Sequence, residues 1–152
     1  MPGTIQAENF DDGGQSIAYG DMTAGNKGGA YRSTGVDIAT TTDVGGGFYV
    51  GWTPAGEWLK YTVNVAATGT YTLETRLANV GTGATFHVDV DGVDRTGPIA
   101  VPDTGGWQNW QTVTTTGIPL TAGVRVLCVA LDTVASGGGV GNYNWFRLSS
   151  AL

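Results

Sequence analysis

Apolar and polar residues alternate along much of the middle of the chain. In T-Y-T-L-E-T-R-L, Tyr71, Leu73 and Leu77 point one way, and Thr72, Glu74 and Arg76 the other. F-H-V-D-V sends Phe86, Val88 and Val90 inward and leaves His87 and Asp89 outward; Y-T-V-N-V does the same with Tyr61, Val63 and Val65 inward. A period of two is that of a strand buried on one face. The run from Val124 to Leu131 alternates less cleanly and predicts a central strand. Turn signals separate these segments at Thr68-Gly69, Asp91-Gly92, Thr104-Gly105-Gly106 and Ala122-Gly123. No stretch carries a helical repeat. Many short strands at regular spacing predict an all-β fold, a β-sandwich jelly roll of two antiparallel sheets. With no internal linker or repeat, residues 1–152 are expected to form one module.

Composition narrows the picture. A chain of 152 residues is long enough for a real core. Its 26 glycines and 13% charged residues suit a turn-rich β protein, and its 41% hydrophobic content argues against disorder. A formal net charge of -6 argues against nucleic acid or an anionic membrane as partner, because both require a basic surface. The single Cys128 cannot form an internal disulfide and reads as a buried thiol, which leaves the redox compartment open. No apolar run is long enough to span a bilayer. Met1-Pro2-Gly3 reads as an expression start on an excised module, so the lack of a signal peptide is not taken to mean cytoplasmic.

The connections are more telling than the strands. Residues 20–47 and 132–141 are long and rich in glycine, and long loops on a rigid sandwich commonly carry binding sites. Trp52 sits immediately before a Thr-Pro-Ala-Gly turn, so it either folds back into the core or is exposed for a ligand. Catalytic signals are poor. Any Ser-His-Asp or Cys-His arrangement would depend on His87 alone, no cluster has zinc spacing, and the glycine runs lack the Lys-Ser/Thr of a phosphate loop. Glu57, Glu74 and Asp89 could supply a glycosidase carboxylate pair, but nothing in the sequence makes two of them converge.

Four blocks occur in order: T-I-Q-A-E-N-F, G-W-T-P-A-G-E-W-L-K-Y, I-A-V-P-D-T-G-G-W-Q-N-W and G-N-Y-N-W-F-R-L. Together, from about Thr4 to Ser149, they resemble carbohydrate-binding module family 6. The resemblance implies a non-catalytic β-sandwich jelly roll attached to a secreted polysaccharide-degrading enzyme. It implies a sugar site in the loops at one edge of the sandwich, with Trp52 and Trp107 as aromatic walls and Asn142 as hydrogen-bonding amide. His87 is a looser candidate for tuning ligand choice, and Tyr31 could extend the edge site. Trp58 matches a position that some members use on the concave face; Trp58, Trp110 and Trp145 are otherwise expected to be core or partly covered. Gln6 and Glu8 stand two apart on the first strand, so both side chains are expected to reach the same face; the resemblance implies a structural calcium, with Gln6, Glu8 and Asn144 at the ligand positions and carbonyls from residues 25–30 completing the set.

The residue types suit the chemistry independently. A pyranose has apolar C–H faces and a rim of hydroxyls; an indole covers the face, and an amide both donates and accepts at the rim. The expected function is non-catalytic binding of a β-linked polysaccharide or oligosaccharide. β-Glucan such as laminarin is favoured; xylan and agarose remain open. The expected protein is a secreted monomer, covalently linked to a glycoside hydrolase. The competing readings are a small glycosidase using Glu57 or Asp89 and a protein-adhesion sandwich.

Overall fold

A computed structural model describes residues 1–21 and 25–151. Its strands in chain order are β1 (Gly3–Gln6), β2 (Tyr19–Gly20), β3 (Ile38–Thr40), β4 (Phe48–Val50), β5 (Trp58–Val65), β6 (Gly69–Ala78), β7 (Thr85–Val90), β8 (Val93–Asp94), β9 (Ile99–Ala100), β10 (Gln111–Leu120), β11 (Gly123–Thr133) and β12 (Asn142–Ser150). One sheet runs β10-β6-β12-β4-β3, with β1 also on β12; the other runs β2-β5-β11-β7-β8, with β9 also on β7. Every strand pair is antiparallel. β1 and β4 share one side of β12: β4 meets it at Tyr143, and β1 takes over from Trp145 to Leu148.

The inward residues of both sheets form one core. Tyr71, Leu73 and Leu77 of β6 and Phe146 and Leu148 of β12 meet Tyr61 and Val63 of β5, Phe86 and Val88 of β7, and Leu127, Val129 and Leu131 of β11. Aromatic edges cross between the layers: Tyr61 lies 5.5 Å from Phe146, and Phe86 lies 5.5 Å from Tyr143. β11 is central, flanked by β5 and β7, as its uneven alternation predicts. The hairpin between β7 and β8 turns on Asp91 and Gly92, whose φ values of 49° and 83° suit a tight two-residue turn.

Cys128 departs from expectation. It is half-buried on the outward side of β11, between Lys60 of β5 and Asp89 of β7, rather than in the core. Burial pushes its thiol up to about 11, so thiolate chemistry at neutral pH is suppressed.

Candidate functional site

The β4–β5 connection returns along the start of β12, because Tyr143 of β12 pairs with Val50 and the chain turns immediately afterwards. Gly51 is dictated by this geometry: a Cβ there would lie 2.7 Å from the Tyr49 ring and 2.8 Å from Asn142 Oδ1. Trp52 follows with φ of 51°, a left-handed conformation that costs on the order of 1–3 kcal/mol for a bulky residue. Thr53 pins this conformation. It is buried, its hydroxyl donates to the Gly141 carbonyl at 2.5 Å, and its own carbonyl accepts from Val140 N–H at 2.8 Å. The result turns the Trp52 indole outward, 42% exposed, with one face backed by Tyr49 at 6.3 Å in a near-parallel stack.

Trp107 arrives from the β9–β10 loop and is 40% exposed. Its backbone is fixed from β12: the Asn142 amide donates to the Trp107 carbonyl at 2.8 Å. Its ring rests on the β11–β12 loop, where a Cβ at Gly139 would lie 3.3 Å from Trp107 Cη2. That loop is pressed close to its neighbour, since a Cβ at Gly137 would stand 2.1 Å from the Val80 carbonyl oxygen. Glycine here provides close approach, which any side chain would forbid.

Trp52, Trp107 and Asn142 line one open cleft of about 580 Å³ at the sandwich edge. Lys27, Tyr49 and Pro54 line it as well. Tyr49 is marked by no sequence pattern, whereas Pro54 belongs to the Thr-Pro-Ala-Gly turn and Lys27 and Gly137 to Gly139 to the glycine-rich loops 20–47 and 132–141. Asn142 has a structural role that the sequence did not suggest. One amide hydrogen already holds Trp107, so a ligand would meet what remains of its hydrogen-bonding capacity.

The other candidates fall elsewhere. Tyr31 does not line the cleft; it lies tilted on Phe48 at 4.8 Å, and its hydroxyl donates to Asn9 Oδ1. His87 is corrected too. It stands on the outward face of the second sheet, with Nδ1 2.6 Å from Asp132 and Nε2 3.1 Å from Asp89. Desolvation disfavours its charged form, but Asp132, with help from Asp89 and Asp94, outweighs that and raises its pKa. Trp58 lies on the same face, half-buried, with Lys60 Nζ 5.2 Å from its ring. Trp110 is half-buried and donates its indole N–H to Gln108 at 3.1 Å; Trp145 is half-buried with the Arg147 guanidinium 5.1 Å away. Glu57 is buried and Asp89 is engaged by His87, and neither lines the cleft.

The three metal candidates lie where β1 meets β12, with the Ala7 N–H donating to the Asn144 carbonyl at 2.9 Å, but they differ in burial. β1 ends at Gln6, and a turn closed by Asn9 N–H on the Gln6 carbonyl takes Glu8 out of the strand's alternation. Gln6 is therefore exposed while Glu8 is buried, contrary to the expectation that both share one face. Glu8 Oε2 has no hydrogen-bond partner among the described residues, and desolvation raises the carboxyl pKa against the pull of a backbone hydrogen bond. Asn144 donates to Asp43, which Arg76 clasps through two hydrogen bonds of 2.8 and 2.9 Å.

A model of the family described as carbohydrate binding module (family 6) matches residues 29–150. The chain belongs to this family. The match starts after the T-I-Q-A-E-N-F block, but solved structures of the family cover that segment. The module is 31% identical to a carbohydrate binding module from Cellvibrio mixtus lichenase 5A, solved with cellotriose; the TM-score is 0.74, and 99% of this chain and 98% of that one are covered. It is 28% identical to the C-terminal module of a marine laminarinase from Zobellia galactanivorans, at TM-score 0.71 over 97% and 98% of the two chains. It is 27% identical to a β-1,3-glucan binding module from Bacillus halodurans, at TM-score 0.72 over 97% and 96%. It is also 30% identical over 121 residues to the clotting factor G alpha subunit of Tachypleus tridentatus, which covers 78% of the module but only 17% of that protein's length.

Proposed function

We propose that the module binds a β-linked glucan chain in the edge cleft without catalysis, with Trp52 and Trp107 covering the faces of one pyranose and Asn142 at its rim. The observation that carries the reading is the pair of half-exposed indoles, delivered by separate loops into one cleft. Laminarin-type β-glucan is favoured. The Bacillus halodurans relative is named for β-1,3-glucan binding, and the Zobellia galactanivorans relative comes from a laminarinase. As part of a secreted glycoside hydrolase, such a module would raise the local concentration of substrate near the catalytic domain.

Burying about 100 Å² of apolar area on each indole contributes roughly 5 kcal/mol at about 25 cal/mol/Å². Association costs at least about 4 kcal/mol, so rim hydrogen bonds near 1 kcal/mol each decide the outcome. The expected Kd is on the order of 10–1000 μM. Calorimetry against laminarin, mixed-linkage glucan, xylan and agarose oligosaccharides tests the reading. Heat with at least one β-glucan is expected; reducing-sugar release from any of them would overturn the non-catalytic assignment.

A structural calcium belongs to the same proposal. Glu8 fits it best, because a buried carboxylate oxygen without a partner suits a hard cation. Asn144 is the second candidate ligand, its carbonyl oxygen turned away from the amide that engages Asp43. Gln6 would have to leave solvent to join them. A bound ion would fasten both ends of the chain and supply no chemistry to the cleft. Chelation is expected to lower Tm by several degrees and to leave a Glu8→Gln variant unresponsive, as read by calorimetric melting.

A further inference from the structure

We propose that Lys27 makes the edge cleft selective for glycans that carry an anionic substituent, a carboxylate or sulfate, beside the sugar held by the indoles; this rests on the cleft being the sugar site. The chain has 7 Lys and Arg residues. Arg32, Arg76, Arg125 and Arg147 each pair with a carboxylate, and Lys60 lies over the Trp58 ring. The side chains of Lys27 and Arg95 form no ion pair among the described residues, and of these two only Lys27 lines the cleft. Among the described residues, no acidic one lines it with Lys27.

The lysine is carried on a braced loop. Its backbone N–H donates to the buried Asp37 carboxylate at 2.6 Å. The Asn26 amide donates to the carbonyls of Ala30 and Arg32 and accepts from the N–H groups of Gly29 and Ile38. Gly28 lies so close to the next segment that a Cβ would stand 2.0 Å from the Ile38 carbonyl oxygen. A fixed backbone therefore carries a flexible lysine side chain at the cleft wall. A neutral sugar needs no cation, and covering an ammonium without a counter-charge loses hydration that nothing replaces. An anionic substituent turns that loss into a charge-assisted hydrogen bond. The net charge of -6 opposes such ligands at long range, but physiological salt screens the field beyond about 8 Å while a contact pair survives.

The test compares neutral laminarin, laminarin oxidised at O6 to carboxylates and sulfated laminarin by calorimetry in 0.15 M salt. The anionic polymers are expected to bind roughly three- to ten-fold more tightly than the neutral one, and the better of the two identifies the substituent. Lys27→Gln should erase the difference between anionic and neutral polymers, and Lys27→Glu should reverse it. Equal affinity for all three polymers, or an equal loss on all three in Lys27→Gln, overturns the proposal. If none binds, or if Trp107→Ala binds as well as wild type, the sugar-site reading itself fails.

Discussion

The edge cleft and the outward face of the second sheet both set tryptophan beside polar side chains, yet they differ in what those groups have left to offer. On the outward face both nitrogens of His87 meet carboxylates, and Trp58 lies so close over Gly20 that a Cβ there would be 2.3 Å from the indole nitrogen. Lys60 caps the ring. At the cleft the indoles are nearly half exposed, the Lys27 side chain forms no ion pair among the described residues, and one amide hydrogen of Asn142 is in use. A site is recognised by unspent capacity held in place. The holding is done by backbone and small groups around the indoles, namely Thr53, Gly51 and Gly139.

The comparison is broken most directly by removing an indole. Trp107→Ala should weaken glucan binding by about 60-fold, the equivalent of losing ~100 Å² of apolar contact, with little change in Tm. Retained affinity in a calorimetric titration would move the site away from the edge. Thr53→Val tests whether the Trp52 conformation is held from below. Leaving the buried Gly141 carbonyl unpaired costs about 1–3 kcal/mol, or roughly 3–9 °C in Tm for a chain of this size. Binding should fall as well, because Trp52 is no longer pinned.

The outward face gives smaller effects. The folded pKa of His87 is raised above its ordinary 6.5, so its ion pairs contribute fully below that value and are lost as pH rises through the folded value. Tm measured across this range should fall more in wild type than in His87→Gln, while glucan affinity of the two stays equal. The smallest change is expected from Trp58→Ala, within about two-fold in affinity because its ring is already covered; a loss like that of Trp107→Ala would make the two faces equivalent.

Much of the architecture was legible before any coordinates. The alternation around Tyr71, Phe86 and Tyr61 assigns core faces correctly because a pleated strand repeats every two residues. The resemblance to the family pointed to Trp52, beside a turn, and to Trp107, after two glycines, and both line the cleft. Asp91-Gly92 announced its own turn, since local backbone preference determines it. Glu8 was misread because alternation lapses where the strand ends, and Cys128 because a central strand still has an outward side. His87 and Tyr31 failed for a related reason: residue type suggests chemistry, but only the surroundings show whether that chemistry is already satisfied.

The sequence by itself determined the strands, their inward faces and the residue types fit for sugar, because these follow from local periodicity and from chemistry carried within each side chain. The tertiary structure decided which groups share the cleft. Lys27, Tyr49, Trp107 and Gly139 come from segments far apart in the chain, and their meeting depends on which strands pair and which loops are forced to one edge. No local pattern encodes that meeting, because it is set by the packing of the whole sandwich.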